Sequence, residues 1–205
     1  MKKYLTLAIL LASAPFAASA AELSYNYVEV GYSSTELSIS GFSDTADGYA
    51  IKGSMAFGDK FHGAIGMHKD SIDGDDLAPW EITGGYRHSF SEGTDFVGEL
   101  SYIGFNSRIL DENFHNDGYR AAVGVRSAIG DRVELGAKLT WTDVEEMDDV
   151  VGVNVNGQIK FNETWGVYGQ YHFNEYNFIG LDADNWQGCT GEQIHAAPLR
   201  PRHPD

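Results

Sequence analysis

Seven histidines, 30 acidic residues and one cysteine are the groups in this 205-residue chain that could do chemistry, and their spacing decides what they can do. His62, His68 and His88 are spread along alternating segments, the spacing of separate polar side chains rather than of a metal cage. Asp70-Ser71-Ile72-Asp73-Gly74-Asp75-Asp76 has the acidity of a calcium loop, but the third ligand position of an EF-hand would fall on Ile72, so the motif fails. Ser101 and Ser127 stand in no nucleophile motif. His115 and His172 fall near segment ends, where a loop aspartate could pair with them as an acid–base couple. The sequence has no phosphate loop, dinucleotide fingerprint or cysteine cluster. The expectation is therefore a protein that is not an enzyme, with no catalytic residue, no cofactor and no metal.

Composition removes further classes. The formal net charge is −16, which excludes a strongly basic nucleic-acid binder. Mean hydropathy is −0.29, and no apolar run beyond the N-terminus approaches the ~18 residues of a spanning helix. An aromatic content of 13 % argues against disorder. Cys189 alone allows no internal disulfide. Lys2 and Lys3, the apolar run from Tyr4 to Leu11 and the small residues Ala18-Ser19-Ala20 read as a signal peptide over 1–20. Its apolar stretch is short and interrupted by Pro15, unlike a retained anchor. Sec-type export from a Gram-negative cytoplasm to the periplasm follows as an expectation.

The elements that would position these groups are strands. Between Ala21 and Ala197 the only proline is Pro79, as nearly continuous sheet pairing requires. Residues 49–57 place Tyr49, Ile51, Gly53, Met55 and Phe57 on one face and Ala50, Lys52, Ser54 and Ala56 on the other. This period of two marks half-buried strands. It recurs in nine segments, at about 23–32, 48–57, 60–68, 80–89, 94–105, 118–128, 132–142, 150–161 and 164–173. Short turns alternate with longer connections at about 33–47, 69–79, 106–117, 143–149 and 174–184, each net acidic by −2 to −5. That acidity could gather divalent cations or repel anions, although solvated loops explain it as well. Asp47-Gly48-Tyr49 and Asp117-Gly118-Tyr119 open two strands in the same way, a weak hairpin repeat.

The apolar face carries aromatics at both edges. Phe57, Phe61, Phe90, Phe96, Phe161 and Trp165 lie near the short turns; Tyr49, Trp80, Tyr102, Tyr119, Trp141 and Tyr171 lie near the long connections. Two aromatic girdles around an apolar band are the pattern of a transmembrane barrel, with the apolar face towards lipid. The opposite face carries Lys52, Glu81, Arg87, Glu99, Arg120, Arg126, Glu134, Lys138 and Lys160 among small residues. A narrow barrel fills its interior with side chains, so these charges are expected to plug the lumen. A hairpin centred on Gly130 would set Arg126 opposite Glu134 and Tyr119 opposite Trp141. The outward face of the first strand is left open, because Tyr25 and Tyr27 share parity with Glu29.

The fold expected is all-β, an antiparallel up-and-down transmembrane β-barrel over 21–187. Bacterial barrels have an even strand number, so a tenth strand is expected, beginning at Asn185-Trp186-Gln187. Residues 188–205, with three of the five prolines and no aromatic, read as a non-barrel tail. A frameshift or chimeric end would explain it, and a natural tail remains the alternative.

Ala21-Glu22-Leu23-Ser24-Tyr25-Asn26-Tyr27-Val28-Glu29 resembles the mature start of a family of small bacterial outer-membrane proteins described as an activator of plant innate immunity and a quorum-type factor. Asp47-Gly48-Tyr49-Ala50-Ile51-Lys52-Gly53-Ser54 resembles its second strand. More broadly, residues 21–186 are similar to Omp-type β-barrel domain proteins. The resemblance implies an outer-membrane or vesicle-borne barrel with no catalytic residues to carry over. It also implies a final strand ending in an aromatic, from which the tail departs. The expected partners are outer-membrane lipid, lipopolysaccharide and the barrel-assembly machinery, with no nucleic acid. The expected role is structural or surface interaction. A narrow porin-like channel for small solutes is the alternative, and a lipid-modifying enzyme ranks below both.

Overall fold

A computed structural model describes residues 23–39, 42–72, 75–109, 112–145, 149–162, 165–174, 176–178, 181–184 and 191–192. The expected signal peptide, the expected start of a tenth strand at Asn185 and most of the expected tail lie outside the described residues. The described chain is all-β. Nine long strands run β1 (Tyr27–Ile39), β2 (Phe42–Phe57), β3 (Phe61–Ile72), β4 (Asp75–Ser91), β5 (Thr94–Ile109), β6 (Glu112–Ile129), β7 (Val133–Val144), β8 (Val150–Lys160) and β9 (Gly166–Asn174). Three short ones follow, β10 (Tyr176–Phe178), β11 (Leu181–Asp184) and β12 (Gly191–Glu192). From β1 to β9 each strand pairs antiparallel with the next, the up-and-down order of a barrel. No described helix is long and apolar enough to cross a membrane.

Three of the expected long connections are corrected. Residues 33–47, 69–79 and 106–117 are largely strand, since β1, β2, β3, β4, β5 and β6 continue through them in unbroken register. Hydrophobic alternation marks only the part of a strand with one apolar environment. Beyond it the backbone ladder continues without that signal. At 18 residues β6 is far longer than the ~9–11 residues that span a bilayer, so the hairpins project well past any apolar band. The stretch expected as a 174–184 connection likewise contains β10 and β11.

The short turns at the other end are set by glycine. Gly58, Gly93 and Gly130 have φ of 66°, 70° and 64°, the left-handed region that costs glycine nothing. The register expected around Gly130 is corrected by one residue at its centre. Ile129 pairs with Val133, so Gly130 is the first of three loop residues rather than the midpoint. Arg126 therefore faces Gly136, Tyr119 faces Asp143 and Trp141 faces Ala121. Side-chain parity survives this shift, so the assignment of faces is unaffected. The repeat at Gly48 and Gly118 also has a packing cause. A Cβ at Gly48 would stand 1.9 Å from the Lys69 carbonyl oxygen, and one at Gly118 would stand 2.2 Å from that of Asp143.

Polarity is inverted relative to a soluble domain. Ile65, Met55 and Leu100 are 62 %, 60 % and 61 % exposed, whereas Glu134 and Asp95 are 4 % and 5 % exposed. The first strand, open in the sequence, resolves the same way. Val28, Val30 and Tyr32 point out, and Tyr25, Glu29 and Ser33 are buried. The sheet curls until its two edges meet chain from beyond β9. β11 pairs with β1 at Glu36–Ile39, and β12 pairs with β9 at Val167 and Tyr168. Gly191 and Glu192, from the stretch expected to stand outside the barrel, thus join the sheet.

Gly84 and Gly85 give a test on adjacent residues. A Cβ at Gly85 would stand 2.1 Å from the His62 ring, whereas one at Gly84 meets nothing within 4 Å. Gly85→Val is expected to destabilise by about 1–3 kcal/mol, and Gly84→Val to be near neutral. Urea unfolding followed by tryptophan fluorescence reads both.

Candidate functional site

The inward face gathers charge in three tiers. Nearest the projecting hairpins, Lys52 Nζ on β2 donates to Glu81 Oε1 on β4 at 3.0 Å. Arg120 Nη1 on β6 reaches Glu81 Oε2 at 3.2 Å, and its Nε donates to Thr142 Oγ1 at 3.3 Å. The Ser33 hydroxyl donates to the buried Asp70 carboxylate close by on β3. In the middle tier Lys138 Nζ on β7 lies 2.7 Å from both oxygens of Glu99 on β5, and His62 Nε2 on β3 lies 3.3 Å from Glu99 Oε1. In the tier nearest the short turns Arg126 donates to Glu134 Oε2 at 2.5 Å and 3.0 Å, and Lys160 pairs with Glu134 Oε1. Asp95 accepts from Tyr25 Oη at 2.9 Å and from Ser89 Oγ at 2.6 Å.

Several of these pairs join strands that are not neighbours. Lys52 stands opposite Gly66 on β3, and Gly66 stands opposite Glu81. His62 stands opposite Gly85 on β4, and Gly85 stands opposite Glu99. In each case a glycine lies under the reaching side chains. A Cβ at Gly66 would meet Glu81 Cγ at 3.3 Å and Lys52 Cγ at 3.7 Å. Buried charges that lack a partner are costly, and these inner glycines give the long side chains room to reach one.

Of the residues expected to line the lumen, Lys52, Glu99, Arg120, Arg126, Glu134 and Lys138 enter these pairs. Arg87 instead donates to the turn carbonyls of Asp59 at 2.8 Å and Gly58 at 3.2 Å. The pairing expected of Arg126 with Glu134 forms across a diagonal, not directly opposite. Sequence reading missed the reach of His62 to Glu99, the Tyr25–Asp95 bond and the Ser33–Asp70 bond. Tyr25 carried a signal in its parity with Glu29, which a buried carboxylate would have resolved.

On the outer face Tyr49, Tyr102, Tyr119 and Trp141 are exposed towards the projecting end, and Phe57, Phe61 and Phe161 towards the turns. Trp80 is half-buried, edge-on to Tyr102 at 5.4 Å, and Tyr102 packs on Tyr119 at 5.4 Å. Trp165 is half-buried in its turn, its amide donating to Asn162 Oδ1 at 2.8 Å. Above this row, hydrogen bonds from Tyr32 and Ser34 hold the Asp47 carboxyl below its usual value, and Asp76 raises the exposed Lys69 ammonium.

The described residues include no group of three or more metal-ligating side chains. His115 Nε2 lies 2.9 Å from Asp117 Oδ1 on an exposed face. Ser101 and Ser127 are buried elsewhere, bonded to Thr83 and Thr94. His172 Nε2 lies 2.7 Å from Asn154 Nδ2.

No family model matches the chain, and no curated protein matches it. Solved structures that resemble it include the following three. A KdgM porin has a TM-score of 0.42 at 10 % identity, covering 82 % of this chain and 98 % of its own. A porin has a TM-score of 0.36 at 14 % identity, covering 84 % of this chain and 59 % of its own. Ail, the attachment invasion locus protein of Yersinia pestis, has a TM-score of 0.40 at 9 % identity, covering 83 % of this chain and all of its own. At these values no residue here takes a role from them.

Glu134 neutralises two cations at once, so its loss leaves both without it. Glu134→Gln is expected to cost about 3–5 kcal/mol, the range for breaking a buried pair. Lys160→Met is expected to cost less, because Arg126 still satisfies the carboxylate. Equal losses in an unfolding titration of the two variants would contradict this account.

Proposed function

We propose that this chain is a small bacterial outer-membrane β-barrel whose charged side chains plug a narrow lumen, with a structural or surface-interaction role. The observation that carries the reading is the inverted polarity. A solvated surface has no reason to hold Ile65, Met55, Leu100 and Val123 outward while Glu134, Glu99 and Asp95 are enclosed. The girdle spacing agrees in height. Tyr49 and Phe57 lie eight residues apart on β2, about 27 Å along the strand and about 20 Å in height at a ~40° tilt, against an apolar band of ~25 Å. Sec-type export brings the chain to the periplasm, and the barrel-assembly machinery inserts it. Its partners are then outer-membrane lipid and lipopolysaccharide. The reading assigns no reaction.

A narrow channel for small solutes is the second reading. It is favoured by the inner wall of β8 and β9 beyond Lys160, where the uncharged Asn154, Asn156, Gln158, Gln170 and His172 face the lumen.

Ile65→Arg separates lipid from water as the outer solvent. Facing lipid at mid-band, it is expected to cost about 2–4 kcal/mol in vesicles; on a solvated surface it would be neutral. A compact, detergent-free monomer in water would overturn the proposal. Steady openings of the unmodified chain in a planar bilayer would favour the channel over the plugged barrel.

A further inference from the structure

The four residues ahead of β1, Leu23 to Asn26, belong to no strand, yet they are firmly seated. Leu23 and Tyr25 are both buried and form one cluster with Val97 of β5 and Ala128 of β6, with Ala56 of β2 packed against it. Asn26 Oδ1 accepts the Ala56 amide at 2.8 Å. The Tyr25 ring lies beneath two guanidiniums, with Arg87 Cζ 4.3 Å and Arg126 Cζ 4.8 Å from its centroid. The His62 ring is 4.8 Å away, and the Tyr25 hydroxyl donates to Asp95 at 2.9 Å. Partners on β3, β4, β5 and β6 therefore converge on one aromatic ring at the turn end of the lumen. Such a ring satisfies cations through its face and a carboxylate through its hydroxyl, and it fills space that a small side chain would leave to water.

We infer that Leu23–Asn26 is a seal seated in the turn-end mouth of the barrel and pinned by Tyr25, and that the lumen is closed only when this seal completes the plug of ion pairs above it. The inference rests on the reading of the chain as a lipid-embedded barrel. It assigns the N-terminal segment a task the strands do not share. The ion-pair tiers cross-link the wall, whereas the seal occupies the opening. The phenyl ring does the blocking and the hydroxyl only orients it.

The full chain and its variants, reconstituted in planar bilayers, test this, with heat-modifiable gel mobility reporting that each barrel has formed. The unmodified chain is expected to be silent, Tyr25→Ala to give steady single-channel openings, and Tyr25→Phe to remain silent. Should Tyr25→Ala fail to fold, Leu23→Gly decides instead: openings support the seal and silence overturns it. Formed but silent Tyr25→Ala barrels overturn the seal while the barrel reading stands. Steady current through the unmodified chain also overturns the seal and leaves a lipid-embedded barrel in place. A detergent-free compact monomer removes the barrel reading and the seal together.

Discussion

The interior of this barrel depends on one constraint: a charged side chain that cannot face the outer surface must find an opposite charge inside a narrow tube. The outer face is committed to large apolar side chains, from Val28 on β1 to Val167 on β9. Alternation then sends every other residue inward, and the charged residues of β2 to β8 go with them. Unpaired, each would cost several kcal/mol. Paired, they connect strands that share no backbone hydrogen bond. Glu81 joins β4 to β2 and β6, and Glu99 joins β5 to β3 and β7. The interior therefore acts as a second set of cross-links beneath the ladder.

Glycine makes this cross-linking possible. A side chain on the intervening strand would occupy the path between Lys52 and Glu81 or between His62 and Glu99. Gly66 and Gly85 leave that path open. Trp80 uses the same device on the outer face, lying over Gly104, where a Cβ would come within 2.4 Å of the indole. The high glycine content, 24 residues of 205, thus reflects close packing across strands as well as turns.

Sequence alternation made the fold class and the inward or outward face of most strands legible, because a period of two reports a two-sided environment directly. It misjudged where strands end. The pairing of β5 with β6 continues to Ile109 and Glu112, past the segments in which the alternation is read. Register at Gly130 was off by one at the turn centre, because a glycine with positive φ can open a three-residue loop as readily as centre a shorter one. The face carrying the charges could be read, but most partners could not. A diagonal or one-strand-removed contact depends on which neighbour carries glycine, and that requires the register of two hairpins at once. Tyr25 was harder still, since it precedes the first strand and its ring is held by side chains from four others.

The seam places a different demand on β1. Among the described residues its outer edge is laddered only at Glu36–Ile39, by β11, while β9 is laddered on its outer edge only at Val167 and Tyr168, by β12. These contacts lie at opposite ends of the barrel. A backbone edge facing hydrocarbon is costly wherever its N–H and C=O groups go unmatched. The ion pairs described above tie β2 through β8. The segment entering β1 does cross the lumen, through Tyr25 to Asp95 on β5. The anchoring of Leu23–Asn26 therefore serves the wall as well as the mouth. It fastens β1, one end of the nine-strand array, to β5 across the lumen.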